Sequence, residues 1–282
     1  MKTYSTQPKI GEIHEPVTCP VCGDNRVKTH WDLGSFSFQS CKTCHHLYQN
    51  PRPKSTDLIG RYDEDYKSYE VENAGNFLNL MKLGLSDLGF EELESSLPPG
   101  KSFLDVGCAT GTLVEYMKNR GWRAGGVEVC EGSAEYGRKV RQVDIHTGTL
   151  DSLNLPDDSL DVVHSSHVIE HVPEPSTFLG EIFRVLKPGG FCITVTPNTS
   201  SFQARAFGKD WRSTIPDHVH LFSQRGLDHL LKTTGFTVLR WKTWGGLALG
   251  MGPNWLKNPL DKAAKQFGFG DVMAVLVRKP ER

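Results

Sequence analysis

The chain has 282 residues, with 32 Lys and Arg against 33 Asp and Glu, and a formal net charge of −1. That balance argues against a protein held to polyanions or anionic membranes by bulk charge, while the apolar runs concentrated between residues 100 and 200 suffice for a packed core. No 18-residue apolar run and no basic leader followed by an apolar stretch is present, so a soluble, cytoplasmic chain without a membrane span is the expectation.

Residues 1–15 carry no periodic pattern. Two knuckles follow, Cys19-Pro-Val-Cys22 and Cys41-Lys-Thr-Cys44, separated by eighteen residues. Cys108, Cys130 and Cys192 lie scattered further on, and an odd total with two CxxC pairs fits metal binding in a reducing compartment better than disulfides. Cys19, Cys22, Cys41 and Cys44 supply the four thiolates that tetrahedral zinc takes and leave no open coordination position. Residues 1–50 therefore read as a zinc ribbon whose ion is structural, the alternative being a redox dithiol or a chance pairing. Between the knuckles Trp31, Leu33, Phe36 and Phe38 alternate with polar residues, as in a short hairpin. His45 and His46, coming after a complete ligand set, read as surface or packing residues.

Asn50-Pro-Arg-Pro53 breaks regular structure and marks a boundary. Residues 51–100 read as a helical linker or lid of one or two helices, with tyrosines 62, 66 and 69 near its start, near-helical apolar spacing over 77–93, and Pro98-Pro-Gly100 as its end. The tyrosines are equally consistent with packing and with substrate contact.

From 101 apolar strands alternate with amphipathic segments, the pattern of a doubly wound parallel sheet with helices on both faces. Ser102–Val106 is the first strand. It ends in Asp105 and runs into a glycine turn, Gly107-Cys-Ala-Thr-Gly111, which opens a helix over 112–120. Such a turn brings backbone close to a ligand at a helix N-terminus. Residues 122–129 form the second strand, with Glu128 near its end. An acid about twenty residues past a glycine turn is where ribose hydroxyls are bound in dinucleotide folds. A helix over 133–142, strands at 144–146, 160–164 and 191–196, and a helix over 178–186 stopped by Lys187-Pro-Gly-Gly190 complete this part. Leu150 and Asp151 fall beside the same pocket.

The turn lacks a full GxGxxG, and His167-Val-Ile-Glu-His171 and Leu186-Lys-Pro-Gly-Gly190 have no part in a nicotinamide-enzyme pattern. In this order and spacing, Asp105 to Gly111, Glu128, Asp151 and these two motifs resemble class I S-adenosylmethionine-dependent methyltransferases, most of all the branch with ubiquinone-biosynthesis and sugar methyltransferases. The resemblance covers about 101–279. It implies a seven-stranded, mostly parallel sheet of order 3-2-1-4-5-7-6 with the last strand antiparallel. It also implies that Asp105 and the backbone from Gly107 through Cys108 and Ala109 to Gly111 hold the methionine part of the donor. Glu128 would bind the ribose, Leu150 and Asp151 the adenine, and the backbone at Ser166 and His167 would lie along the donor. The ribbon with the segment behind it more loosely resembles a subset found in surface-glycan and natural-product pathways.

The methyltransferase part, 101–282, carries an insert at about 201–222 on the substrate side, mixing aromatic residues with Arg205, Lys209 and Arg212. Ser223 caps a helix over 224–234. Strands at 235–241 and 271–277 flank a glycine-rich 245–252 and an amphipathic 254–267. His218, in a His-Val-His-Leu-Phe-Ser pattern similar to one in sugar C-methyltransferases, is the leading candidate for a general base, and His171 the second. The reading is transfer of a methyl group to a small molecule or sugar, with oxygen the favoured acceptor. One alternative is methylation of a nucleic-acid base, with Arg138, Lys139, Arg141 and the 205–212 cluster tracking phosphates. The neutral net charge disfavours it, as does the lack of an Asn-Pro-Pro-Tyr-like motif. The other is a non-catalytic binding protein with a retained pocket. The acceptor and the oligomeric state are not written in the sequence.

Overall fold

In chain order the elements are β1 (His14–Glu15), β2 (Val27–Asp32), β3 (Ser37–Cys41), β4 (Leu47–Gln49), β5 (Arg52–Pro53), α1 (Ser55–Ile59), α2 (Glu64–Asp87), α3 (Phe90–Ser96), β6 (Ser102–Val106), α4 (Thr112–Asn119), β7 (Arg123–Glu128), α5 (Glu131–Tyr136), β8 (Asp144–Thr147), β9 (Leu160–Ser166), α6 (Pro175–Val185), β10 (Leu186–Pro197), α7 (Phe202–Phe207), β11 (His220–Leu221), α8 (Gln224–Thr234), β12 (Thr237–Trp244), α9 (Asn254–Phe267) and β13 (Val272–Arg278). This computed structural model describes residues 11–246 and 254–281. Most of the glycine-rich stretch expected at 245–252 lies outside the described residues.

Seven strands form the central sheet in the order β12-β13-β10-β9-β6-β7-β8. Numbered within the core alone, this is 3-2-1-4-5-7-6, the expected order. β13 runs antiparallel to both neighbours, with Val277 opposite Cys192 and Val275 opposite Trp241. Successive side chains of each strand point to opposite faces of the sheet, and both faces are covered. Leu104, Val163 and Val275 join Leu179, Ile182 and Leu231 from α6 and α8 in one cluster. Phe103, Val162 and Ala274 join Leu113, Met117 and Leu88 from α4 and the end of α2 in the other. Each aliphatic chain so buried contributes about 1.5–3 kcal/mol.

Element ends differ from expectation where local geometry intervenes. α6 begins at Pro175, whose fixed φ and missing N–H suit a first helical turn. β10 starts directly at Leu186, with the Lys187–Gly190 corner as an irregularity in its pairing with β9 rather than a loop before it. The helix after β7 starts two residues early and ends in a π-turn, Gly137–Arg141, where Arg138 reaches back to the Ile145 carbonyl. The lid holds three helices. α2 is one continuous element from residue 64, capped by the Asp63 carboxylate, which accepts from the backbone of Asp65 and Tyr66.

The N-terminal hairpin exists as β2 and β3, but its sheet does not end with the ribbon. β4 pairs with β3 on one side and with β11, some 170 residues later, on the other. The 201–222 segment packs on this sheet along its length, with Ala204, Trp211 and Leu221 around Phe38 and Leu47. His46 is buried at the junction, where its Nε2 lies 3.0 Å from His220 Nδ1. It is a packing residue, as expected.

Candidate functional site

The carboxyl ends of β6, β7 and β9 open into a cavity of about 1100 Å³ whose lining includes Asp105, Glu128, Asp151, His167 and His218. β6 sits centrally between β7 and β9, so the chain leaves the sheet in opposite directions here, and the crevice forms at that switch point.

Gly107 and Gly111 shape the floor. Gly107 has φ +70°, its N–H donates to the Val127 carbonyl at 2.8 Å, and a Cβ there would lie 2.4 Å from Val168 Cγ2. Gly111 has φ +74° and the same crowding from Val143 and Ile145, so both the dihedrals and the space exclude side chains. Asp105 is buried and its Oδ1 is 2.7 Å from His164 Nδ1. His164 is the acid's buried partner from β9; the sequence offered only a polar residue at the end of an apolar run. Glu128 accepts from the Ala109 N–H at 2.9 Å and the Cys130 N–H at 2.8 Å. Burial raises its carboxyl and these amides oppose that, leaving an acceptor suited to paired hydroxyls. The Cys108 side chain packs among Val114, Ala134 and Ile145, and burial pushes its thiol well up. Leu150 and Asp151 line the cavity at the first 3₁₀ turn after β8, as do Ser166 and His167 at the end of β9.

A second group lies beside this floor. Glu170 is fully buried and takes hydrogen bonds from Thr196 Oγ1 at 2.9 Å and from His167 Nδ1 at 3.0 Å. Burial works against its charge, but His167, His171 and His218 outweigh it and hold the carboxyl at about 2. His171 Nδ1 donates to the Asp217 carbonyl at 2.9 Å and His218 Nδ1 to the Ser213 carbonyl at 2.8 Å. A carbonyl only accepts, so each ring carries its proton on Nδ1 and offers Nε2 as an acceptor. The two rings meet edge to face with centroids 4.8 Å apart. Glu170, His171 and His218 also converge to within 4.8 Å, a donor set that a divalent cation takes. Glu170 stood in the His-Val-Ile-Glu-His motif without a role; its charge and position are the structure's addition.

The lid supplies the roof. Tyr62, Tyr66, Tyr69 and Glu70 line the cavity. Tyr62 lies edge-on to Tyr66 at 5.0 Å and to His171 at 6.3 Å. Glu70 is pushed up to about 7 by burial and by the Glu128 charge. Arg61, also unmarked in the sequence, is buried and donates to the Pro216 carbonyl and to Asp217 Oδ1, both at 2.9 Å.

A family model for a methyltransferase domain matches residues 81–240. The chain belongs to the class I S-adenosylmethionine-dependent methyltransferases. A "probable S-adenosylmethionine-dependent methyltransferase" of Mycolicibacterium smegmatis is 36% identical over 49% of this methyltransferase and 53% of its own length. A ubiquinone biosynthesis O-methyltransferase of Maricaulis maris is 31% identical over 62% and 69%. This methyltransferase thus spans about half the length of several curated relatives that it matches. Among solved structures, a methyltransferase of Thermotoga maritima described as a "possible histamine N-methyltransferase" superposes with TM-score 0.51 at 25% identity, covering 72% of this chain and 97% of that one.

Away from the cavity, the four cysteines of the N-terminal module converge. Sγ of Cys19 and Cys44 are 3.5 Å apart, as are those of Cys22 and Cys41, and all four lie within 4.8 Å. Zinc–sulfur bonds of about 2.3 Å place tetrahedral sulfurs at about this spacing. The neighbouring Cys19 and burial push the Cys44 thiol well up, so four thiolates coexist here only around a cation. No helix among the described residues is long and apolar enough to cross a membrane.

Proposed function

We propose that this methyltransferase moves a methyl group from S-adenosylmethionine to an oxygen of a small molecule or sugar in surface-glycan, quinone or natural-product synthesis, with a structural zinc in its four-cysteine module. The observation carrying the reading is two histidines, both with Nε2 as acceptor, on the wall of the cavity that Asp105, Glu128 and the glycine turn line. The names of relatives that methylate oxygen support it.

The donor supplies an activated sulfonium methyl. The chain's part is then to align the acceptor and take one proton. Asp105 and the backbone from Gly107 to Gly111 would hold the methionine end, Glu128 the ribose, and Leu150 and Asp151 the adenine, while the backbone at Ser166 and His167 would lie along the donor. Holding the acceptor oxygen in contact with that methyl group and in line with it would supply most of the acceleration. The hydroxyl proton passes to Nε2 of the His171–His218 pair, and Glu170 steadies the imidazolium that results.

A nucleic-acid acceptor finds little support. Arg138, Lys139 and Arg141 are paired with Glu131, Glu135 and Glu115, and Arg212 with Asp271, so these four cations are internally neutralised. The test is calorimetric titration with S-adenosylmethionine, followed by labelled-methyl transfer to nucleotide sugars, quinone precursors and RNA. Absence of donor binding would sink the enzyme reading, retained binding without transfer to any acceptor would favour the binding-protein alternative, and transfer to RNA alone would sink the acceptor class.

A pH dependence follows from Glu70. The donor carries a net positive charge, and a carboxyl near 7 is neutral below that pH and anionic above it. Donor affinity is therefore expected to tighten from about pH 5 to about pH 8, by about tenfold for one pKa unit of coupling. The Glu70→Gln variant should show a flat profile, which titration at three pH values checks.

A further inference from the structure

Gln49 is the last residue of β4, the ribbon strand that pairs with β11, and only 1% of its surface is exposed. Its Nε2 lies 2.9 Å from the Pro216 carbonyl and 3.0 Å from that of His218, with the Ile215 carbonyl at 3.5 Å, and its backbone N–H donates to Val219 at 2.9 Å. Carbonyls crowding one end of an amide fix which end is NH2, so the side chain is a donor clamped across the turn. The Pro216 carbonyl takes a second donor, Arg61 Nη1, which fills its other lone pair.

The clamped turn bears on both proton acceptors. His218 is part of it, and the Asp217 carbonyl is what holds His171 Nδ1. The connection runs on into the cysteine module, because β4 pairs with β3 and β3 ends in Cys41. Asn50, the next residue, turns the other way and binds the backbone of Val17. Gln49 is thus the one ribbon side chain, among the described residues, that hydrogen-bonds to the 215–218 turn. It does not line the cavity, and its side-chain hydrogen bonds all go to the turn.

We propose that Gln49 is a positioning residue that sets the 215–218 turn, and through it the tautomer and aim of His171 and His218, so that the four-cysteine module is a working part of the acceptor site. This rests on the reading of the histidine pair as proton acceptor. A turn released on the ribbon side keeps Arg61 and the His218 N–H to Ile215 contact, so it shifts rather than unfolds. A shift of about 1 Å at reacting groups costs up to about 100-fold in rate.

The experiment uses Gln49→Met, which keeps length and volume but removes the donor, and Gln49→Glu, which turns a carboxylate toward the same carbonyls. Three quantities are read on each protein: turnover, donor affinity by titration, and the imidazole 15N spectrum, which reports which ring nitrogen carries the proton. The expected result for Gln49→Met is a fall in turnover of about 10–100-fold, donor affinity within about twofold because the donor floor is remote, and loss of the pure Nδ1–H signature of His171 or His218. Unchanged turnover and spectra in both variants overturn the proposal. Turnover and donor affinity falling together, with the spectra unchanged, also overturn it, since Gln49 would then support the fold as a whole. If instead His171→Ala and His218→Ala both keep turnover, the base reading fails, while the spectra still decide whether Gln49 sets the rings.

Discussion

Replacing His218 with alanine is expected to lower turnover by about 10²–10⁴-fold, the range for loss of a positioned general base, with donor affinity little changed. The expectation comes from three observations taken together. The Nδ1 proton is pinned to the Ser213 carbonyl, so the ring presents a lone pair and not a proton. Burial, reinforced by His171, pulls its pKa down to about 3, so the ring is neutral and able to accept throughout the working pH range. That low value also makes it a weak base by itself. Glu170 repairs this, because its carboxylate is ionised, fully buried and within the same 4.8 Å cluster, so it favours the imidazolium as soon as a proton arrives. His171→Ala should cost less if the half-buried ring only supports its partner, and as much if the two share the proton. The double variant then separates these cases, since residues acting as a unit are strongly non-additive. The measurement is single-turnover transfer of labelled methyl with the donor pre-bound. Near-wild-type rates in both single variants would remove the base from the mechanism and leave alignment as the whole contribution.

How much of this was legible beforehand depends on the range of the interaction. The central sheet was read from short apolar runs such as Ser102–Val106 that alternate with amphipathic segments, because a strand covered on both faces is apolar along its length and that is a local signal. The turn at Gly107 and Gly111 and the acid Glu128 were read for the same reason: the steric demands act within a few residues, and their spacing is fixed by one strand and one helix. The lid was read as one or two helices, with apolar spacing marking only its part from Phe77. Over 64–76 the inward side of α2 carries Tyr66, Tyr69 and Glu70, which an apolar periodicity does not register. Pairings across the chain left no trace at all. Two residues suffice for β11, and nothing local says that His220 will lie opposite Tyr48. Asp105 with His164 and Gln49 with the Pro216 carbonyl are likewise contacts between segments that the sequence keeps apart. Their residue types, a histidine in a strand and a glutamine at a strand end, are ordinary in isolation.

The second large effect concerns Cys41, which is fully buried with Cys19 beside Tyr48 in a cluster whose other members, Val17, Val21, Val27 and Cys44, are only partly buried. So small a cluster cannot hold the two knuckles by burial alone, and structural zinc in such modules contributes about 10–16 kcal/mol of apparent binding free energy at neutral pH. Cys41→Ser, or removal of the ion with a chelator, is therefore expected to release the module cooperatively, with one zinc per chain in the wild-type protein and none in the variant by metal analysis. The consequence should be uneven. Asp105, Glu128 and the glycine turn belong to the central sheet and its own clusters, so donor affinity is expected to survive. β11 and the 215–218 turn lose β4 and Gln49 as partners, so turnover is expected to fall at least as far as in Gln49→Met. Calorimetry with the donor and a transfer assay on the same metal-free sample make the comparison. Joint loss of both would mean that the module holds up the entire fold. Full turnover without metal would mean that the thiols pack without an ion and that the histidine turn stands without the ribbon.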